Sequence, residues 1–216
     1  MTIDINSLQT PSTTVTVDPS DNLFAELGKN TYDYKDLLSE LIDNSLAARG
    51  DVKPVRVVID LYTDANGRPV EFRIKDNALG IPASRLGVAI TPAGIQSANS
   101  LNEHGLGMKQ AVSALGDLKY LVTKTRDEKK GRLVKKFQFG AVPVYETEFD
   151  GESGTEIVIT NLSPIVIANP TSISRTLSKY LGARYRRFLR PDNKLLDLTL
   201  NLKKQFSDQI TNYWEI

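Results

Sequence analysis

Four short stretches of this 216-residue chain hold residue types that could do chemistry together. The first is Glu40-Leu41-Ile42-Asp43-Asn44-Ser45. Glu40 and Asn44 stand i, i+4, so on a helix they project from one face, roughly opposite the stripe of Leu38, Leu41 and Ile42. A glutamate can take a proton from water. An asparagine amide oxygen suits Mg²⁺, a hard cation that prefers oxygen and keeps waters and phosphates in its shell. The same pair would also suit a plain solvated helix face. The second stretch is Asp76-Asn77-Ala78-Leu79-Gly80-Ile81 at the end of a strand pattern. A carboxylate there can accept from an exocyclic amine such as that of adenine, and Gly80 lets backbone approach a flat ring. Asp, Asn and Gly are equally the residues of a simple turn. The third is His104-Gly105-Leu106-Gly107-Met108-Lys109, just before a helix pattern. Glycines at a helix start expose N–H donors to phosphate, aided by the helix dipole. The fourth is Gly154-Thr155, opening a strand, where the hydroxyl can reach a purine directly or through water.

The elements that must position these residues follow from periodicity. Residues Asp33 to Arg49 place Leu38, Leu41, Ile42, Ser45 and Leu46 on one side of a helix, and Gly50 is a suitable stop. Residues 54–62 and 69–76 alternate, are rich in β-branched residues, and flank the turn DANG, so they read as paired strands. The stretch of about two dozen residues from Ile81 to Gly105 shows no strong element of its own, a length typical of lids and binding loops. A short helix is expected from Gly107 to Leu115, then strands over 118–125, 132–140 and 155–162, a helix over 171–189 and a strand over 195–202. An arm over residues 1–22 is expected to add a short strand at Thr14 to Val17, and residues 206–216 read as a tail of the domain spanning 23–205. Hairpins mixed with separate helices indicate an α+β class, a sheet covered by helices on one face, rather than a doubly wound fold.

Taken in order, the four stretches resemble the motifs of the GHKL ATPases, the superfamily of DNA gyrase B, the ninety-kilodalton heat-shock chaperones, histidine kinases and MutL. The resemblance runs from about Phe24 to Leu202. GLGMK before a helix looks most like the MORC branch, and LSKYLGARYRRFL followed by LDLTLNL is similar to the end of the MORC, MutL and chaperone-type ATPase domain. The resemblance implies the Bergerat fold, a two-layer α/β sandwich with helices on one face of a mixed, mostly antiparallel sheet. It implies ATP and Mg²⁺ as ligands. Glu40 would activate the attacking water, and Asn44 would hold Mg²⁺. Asp76 would bind the adenine amine with Thr155 assisting, and Gly80 and Ile81 would lie beside the base. Gly105, Leu106 and Gly107 would give backbone donors to the phosphates with Met108 and Lys109 close by, and Ala83 to Glu103 would form a lid whose closure drives homodimerisation; His104 could touch a phosphate, gate the lid or equally serve as a polar hinge. Two departures carry expectations. Ala78 stands where the pattern Asp-x-Gly-x-Gly has its first glycine, so its methyl is expected to crowd the nucleotide or shift the backbone. The sequence stops at Ile216, before a domain from which several relatives supply a Lys or Arg, so either the chain is a fragment, or a partner supplies the cation, or turnover is slow.

Composition narrows the alternatives. Zero Cys excludes disulfides, thiolate zinc sites, iron–sulfur clusters and cysteine nucleophiles. A single His excludes a multi-histidine metal site, and it lies in the glycine motif, which argues against a phospho-accepting histidine kinase. The start has no basic and apolar leader, and no apolar run approaches the roughly 18 residues of a membrane span, so a cytoplasmic protein is expected. With 27 basic against 26 acidic residues, a case for nucleic acid must be local. Arg184, Arg186, Arg187 and Arg190, with Tyr185 and Phe188 interleaved, could meet DNA or form the solvated face of an amphipathic helix. A nucleotide-gated interaction module with negligible hydrolysis is the second functional reading.

Overall fold

The computed structural model describes residues 3–7, 10–17, 33–91, 107–138, 140–163, 170–205, 207 and 210–216. In chain order the elements are β1 (Thr13–Val17), α1 (Tyr34–Ala47), β2 (Val55–Thr63), β3 (Pro69–Asp76), α2 (Ala83–Ile90), α3 (Gly107–Leu115), β4 (Asp117–Lys124), β5 (Gly131–Val134), β6 (Gly140–Thr147), β7 (Gly154–Thr160), α4 (Pro170–Tyr185), a 3₁₀ turn at Pro191–Asn193, β8 (Leu196–Lys204) and β9 (Ile210–Glu215). The strands form one nine-stranded sheet in the order β1-β6-β5-β4-β7-β3-β2-β8-β9. Every neighbouring pair is antiparallel except β2 and β8, which run parallel with Val55 opposite Leu196 and Thr63 opposite Lys204. This is the expected α+β sandwich.

Alternation along the strands splits the sheet into two faces. Val55, Val57, Ile59 and Leu61 of β2, Phe72 and Ile74 of β3, Ile157 and Ile159 of β7, and Leu196, Leu198 and Leu200 of β8 share one core with Leu38, Leu41 and Ile42 of α1, Val112 and Leu115 of α3, and Leu177 and Leu181 of α4. The other face carries paired charges. Asp60 accepts from Asn201 and Lys203, both at 2.7 Å. Glu71 accepts from Arg73 at 3.0 Å and from Lys119 at 3.1 Å. Tyr120 donates to Glu156 at 2.6 Å. Burial of charge is tolerated there because each carboxylate has a donor.

Three elements differ from the sequence expectation. Residues 83–90 form α2, where the sequence suggests an unstructured start to a long loop. Leu86 and Ile90 are buried, and α2 lies against β1, where a side chain at Gly87 would press on the Thr16 carbonyl. The helix is only eight residues long and is fixed by that tertiary contact, so its local signal is weak. Strand β5 ends at Val134, and a further strand, β6, runs from Gly140 to Thr147 between β5 and β1. Ile210–Glu215, within the stretch read as a tail, pairs with β8 as an edge strand and sets Trp214 opposite Leu200. The short strand expected near the start is present as β1.

Candidate functional site

Helix α1 is the element on which the site is built. Asp33 caps it, accepting from the Lys35 N–H at 3.4 Å, and Leu37, Leu38, Leu41, Ile42 and Leu46 bury it on the sheet. The face bearing Glu40 is not left to solvent: the first residue of α3 packs on it. A Cβ on Gly107 would overlap Glu40 Oε2 and lie 3.2 Å from Cδ, so glycine is what lets the α3 N-terminus sit against this carboxylate. Burial, and then the charge of Asp43, push the Glu40 carboxyl above its ordinary range. The charge of Arg184 acts in the opposite sense, and the net direction is upward.

Asp43, three residues on, is held by α4. Arg184 donates to Asp43 Oδ2 at 2.9 Å, and Tyr185 donates to Oδ1 at 2.7 Å. Tyr185 is 2% exposed, and its oxygen also lies 3.0 Å from the Ser39 carbonyl. Arg184 therefore serves an ion pair within the chain although it is exposed, as Arg186, Arg187 and Arg190 also are.

The second centre is Asp76, at the end of β3 on the helix-facing side. Its carboxylate accepts from the Ala78 N–H at 2.9 Å and the Thr155 N–H at 3.1 Å on Oδ1, and from the Ser45 hydroxyl at 2.8 Å on Oδ2. Its pKa is raised by burial, against which these three donors act. A carboxylate offers about four lone-pair positions, so one acceptor position remains for a further donor. Ser45 carries the link between α1 and β3 that sequence reasoning missed. The available signal was a hydroxyl on the apolar stripe of α1, where a buried polar group needs a partner.

The loop after Asp76 is pinned at every step. Asn77 Oδ1 accepts from the Arg56 N–H at 2.6 Å, and the Leu79 N–H donates to the Ala48 carbonyl at 3.0 Å. The Ile81 N–H donates to Thr123 Oγ1 at 2.8 Å, and the Ile81 carbonyl accepts from Arg132. Gly80 has φ +74°, and a Cβ there would overlap the Lys124 carbonyl oxygen. Gly154, at φ +138°, would likewise strike the Asp76 carbonyl. The two glycines let the loop, the end of β4 and the start of β7 converge; the role of Gly80 visible here is chain packing. Ala78 is 1% exposed and its methyl belongs to the core. Its side chain thus packs into the protein interior.

Of the residues singled out by sequence, Glu40, Asn44, Asp76, Gly80, Ile81, Gly107, Met108, Lys109 and Thr155 are described. His104, Gly105 and Leu106, and the lid beyond Thr91, lie outside the described residues. Asn44 follows Glu40 by one turn of α1. Met108 packs on the core as part of the first turn of α3. Lys109, only 8% exposed, has its ammonium 5.5 Å from the Phe137 ring centroid. Burial lowers its pKa to about 7, and among the described residues no carboxylate forms an ion pair with it. Thr155 reaches Thr123, its hydroxyl oxygen 3.1 Å from Thr123 Oγ1. Among the described residues no group of three His, Cys, Asp or Glu could hold a metal. The donor set thus fits Mg²⁺ only through the single carboxamide of Asn44, as an ion that arrives with phosphates. No helix among the described residues is long and apolar enough to cross a membrane.

No curated protein sequence matches this chain. Among solved structures, the Aquifex aeolicus MutL ATPase domain complexed with ADP is similar at a TM-score of 0.53 and 16% identity, over 84% of this chain and 62% of that one. The N-terminal domain of a DNA repair protein is similar at a TM-score of 0.58 and 15% identity, over 88% of this chain and 54% of that one. At these identities the likeness is one of fold, and the chain spans less than two thirds of the length of each. Residues 32–142, just over half the chain, match the family described as histidine kinase-, DNA gyrase B- and HSP90-like ATPase, a range that holds Glu40, Asp76 and Gly107. The chain belongs to that family of ATPases.

Proposed function

We propose that this chain binds ATP with Mg²⁺ between α1, the Asp76 loop and the N-terminus of α3, and hydrolyses it slowly. The observation that carries the reading is the seating of the Glu40 carboxylate against Gly107, where the α3 N-terminus would meet phosphate, on the same helix that fixes Asp76 through Ser45. Asp76 takes the adenine amine at its remaining acceptor position, and Ala78 and Thr155 hold that carboxylate in place. Ile81 and Gly80 line the base. The backbone N–H of Gly107 meets the phosphates, and Lys109 stands in the first turn of the same helix. Asn44 contributes an oxygen to Mg²⁺, which when bound neutralises charge on the phosphates. Glu40, kept more basic than usual by burial and Asp43, orients the attacking water and accepts its proton. Phosphoryl transfer requires mainly positioning and charge compensation, and both are supplied from α1 and α3. Helix α2, which opens the segment read as a lid, is packed into the core through Leu86 and Ile90.

The test is calorimetric titration with ATP and Mg²⁺, followed by phosphate release. Glu40→Ala should retain ATP binding and lose turnover by about 100-fold or more. No uptake of ATP at millimolar concentration by the folded protein would refute the reading. Binding without phosphate release by the unaltered chain would instead leave a nucleotide-gated interaction module. Dimerisation on closure is read out in the same preparations, as a doubling of mass by light scattering with a non-hydrolysable ATP analogue. A role on DNA would fall to Arg186, Arg187 and Arg190, because Arg184 is engaged with Asp43.

A further inference from the structure

Thr123 lies in β4 directly opposite Thr155 of β7 and is fully buried. Its hydroxyl has three neighbours: the Ile81 N–H at 2.8 Å, the Gly154 carbonyl oxygen at 3.1 Å and the Thr155 hydroxyl at 3.1 Å. A hydroxyl has one proton and two lone pairs. The N–H of Ile81 can only donate, so it occupies one lone pair. The carbonyl of Gly154 can only accept, so it takes the proton. The remaining contact is then satisfied in one direction, with Thr155 donating to Thr123. The direction matters because Thr155 is the neighbour of Asp76, whose Oδ1 accepts from the Thr155 N–H at 3.1 Å.

We infer that Thr123 is a positioning residue that sets the base selectivity of the nucleotide site: by taking the Thr155 hydroxyl proton, it makes Thr155 present acceptor lone pairs beside the acceptor Asp76. The inference rests on the nucleotide reading above. A pair of acceptors suits a purine with a 6-amino group, which brings two N–H donors. A 6-oxo purine brings a third acceptor and is disfavoured, since an unmatched buried polar group is costly. Without the Thr123 hydroxyl, Thr155 can turn its proton toward the ligand and meet a 6-oxo group. The preference for adenine is then set one residue behind the contact surface, at a position the ligand does not touch.

The experiment compares ATP with inosine triphosphate, which carries oxygen in place of the 6-amino group, by calorimetry in the presence of Mg²⁺. In Thr123→Val the ATP-to-inosine-triphosphate affinity ratio is expected to fall about tenfold, while Thr123→Ser, which restores the hydroxyl, keeps the ratio within about twofold. A purely structural role for Thr123 would weaken both nucleotides alike and leave the ratio unmoved. Thr155→Val provides the second route if Thr123→Val does not fold. It removes the acceptor itself and is expected to lower the same ratio. A ratio unchanged in Thr155→Val, or in a folded Thr123→Val, overturns the proposal. Failure of the unaltered chain to bind ATP at all would refute the nucleotide reading instead, so the two failures are distinct.

Discussion

Replacing Gly107 by alanine separates the position of Glu40 from the integrity of the fold. Gly107 is the first residue of α3, and its backbone accepts any L residue, so the change introduces no dihedral strain. Alanine is also the better helix former, worth up to about 1 kcal/mol relative to glycine. What the new methyl meets is Glu40, overlapping Oε2 and standing 3.2 Å from Cδ and 3.5 Å from Cβ. The carboxylate is the free end of a side chain, so it moves aside by about 1 Å rather than forcing α1 and α3 apart. A misplacement of about 1 Å in a catalytic group costs about 100-fold in rate. Alanine keeps its N–H, so phosphate contact survives. Gly107→Ala should therefore melt within about 3 °C of the unaltered protein, bind ATP with affinity changed by less than about fivefold, and release phosphate about 100-fold more slowly. Melting by circular dichroism, titration calorimetry and a phosphate-release assay read the three quantities. Unimpaired turnover would refute the placement of Glu40 against α3. A collapse in melting temperature would show that the two helices, rather than the side chain, absorb the methyl.

Further outcomes follow from the charges of the site. Glu40 has a raised carboxyl pKa, so its ionised form destabilises the fold at neutral pH, and that cost disappears as pH falls below the ordinary glutamate range of about 4. Glu40→Gln should melt slightly higher than the unaltered chain at pH 7, by an amount worth at most about 1 kcal/mol for a half-buried group, and the difference should vanish near pH 4. Lys109, with its pKa lowered to about 7, sheds its proton in the fold while the unfolded chain keeps it to about pH 10. Its contribution therefore makes stability rise from pH 7 to about 10. Lys109→Met should remove that rise and be the more stable protein at pH 7, as followed by urea unfolding across this range. Tyr185→Phe leaves Asp43 with Arg184 alone and the Ser39 carbonyl without the phenol; a loss of about 1–2 kcal/mol is expected in the same unfolding assay.

The parts of this fold that could be read in advance are those where pattern and packing agree. The α1 stripe, the alternation of β2 and β3, and the apolar β7 and β8 announce themselves because each buries one face on the common core. Helix α2 did not, because its eight residues are ordered by contact with β1, far away in sequence. Strand β9 is mostly exposed and polar, with Ile210 and Tyr213 open to solvent, and its order comes from the ladder with β8. At the site, Glu40, Asp76 and Gly107 could be named from type and spacing. Their mutual placement could not. The link from Ser45 to Asp76 spans 31 positions, and that from Thr123 to Thr155 spans 32. The ion pair that fixes Asp43 spans 141. Such partners are set by which strands and helices become neighbours, which local periodicity does not encode.

The single parallel pairing has a consequence for biosynthesis. A ribosome releases β2 some 140 residues before its neighbour β8, since Arg56 is aligned with Asp197 and Asp60 with Asn201. During that interval the nascent chain can complete the β2–β3 hairpin and dock α1. One flank of β2 nevertheless stays bare along nine residues, VRVVIDLYT, a stretch rich in β-branched and apolar side chains. Naked strands of this kind invite pairing with other chains, and non-local closure is slow. A chain truncated before Leu196 keeps that flank of β2 unpaired and is expected to aggregate more readily than the full chain, as light scattering would show.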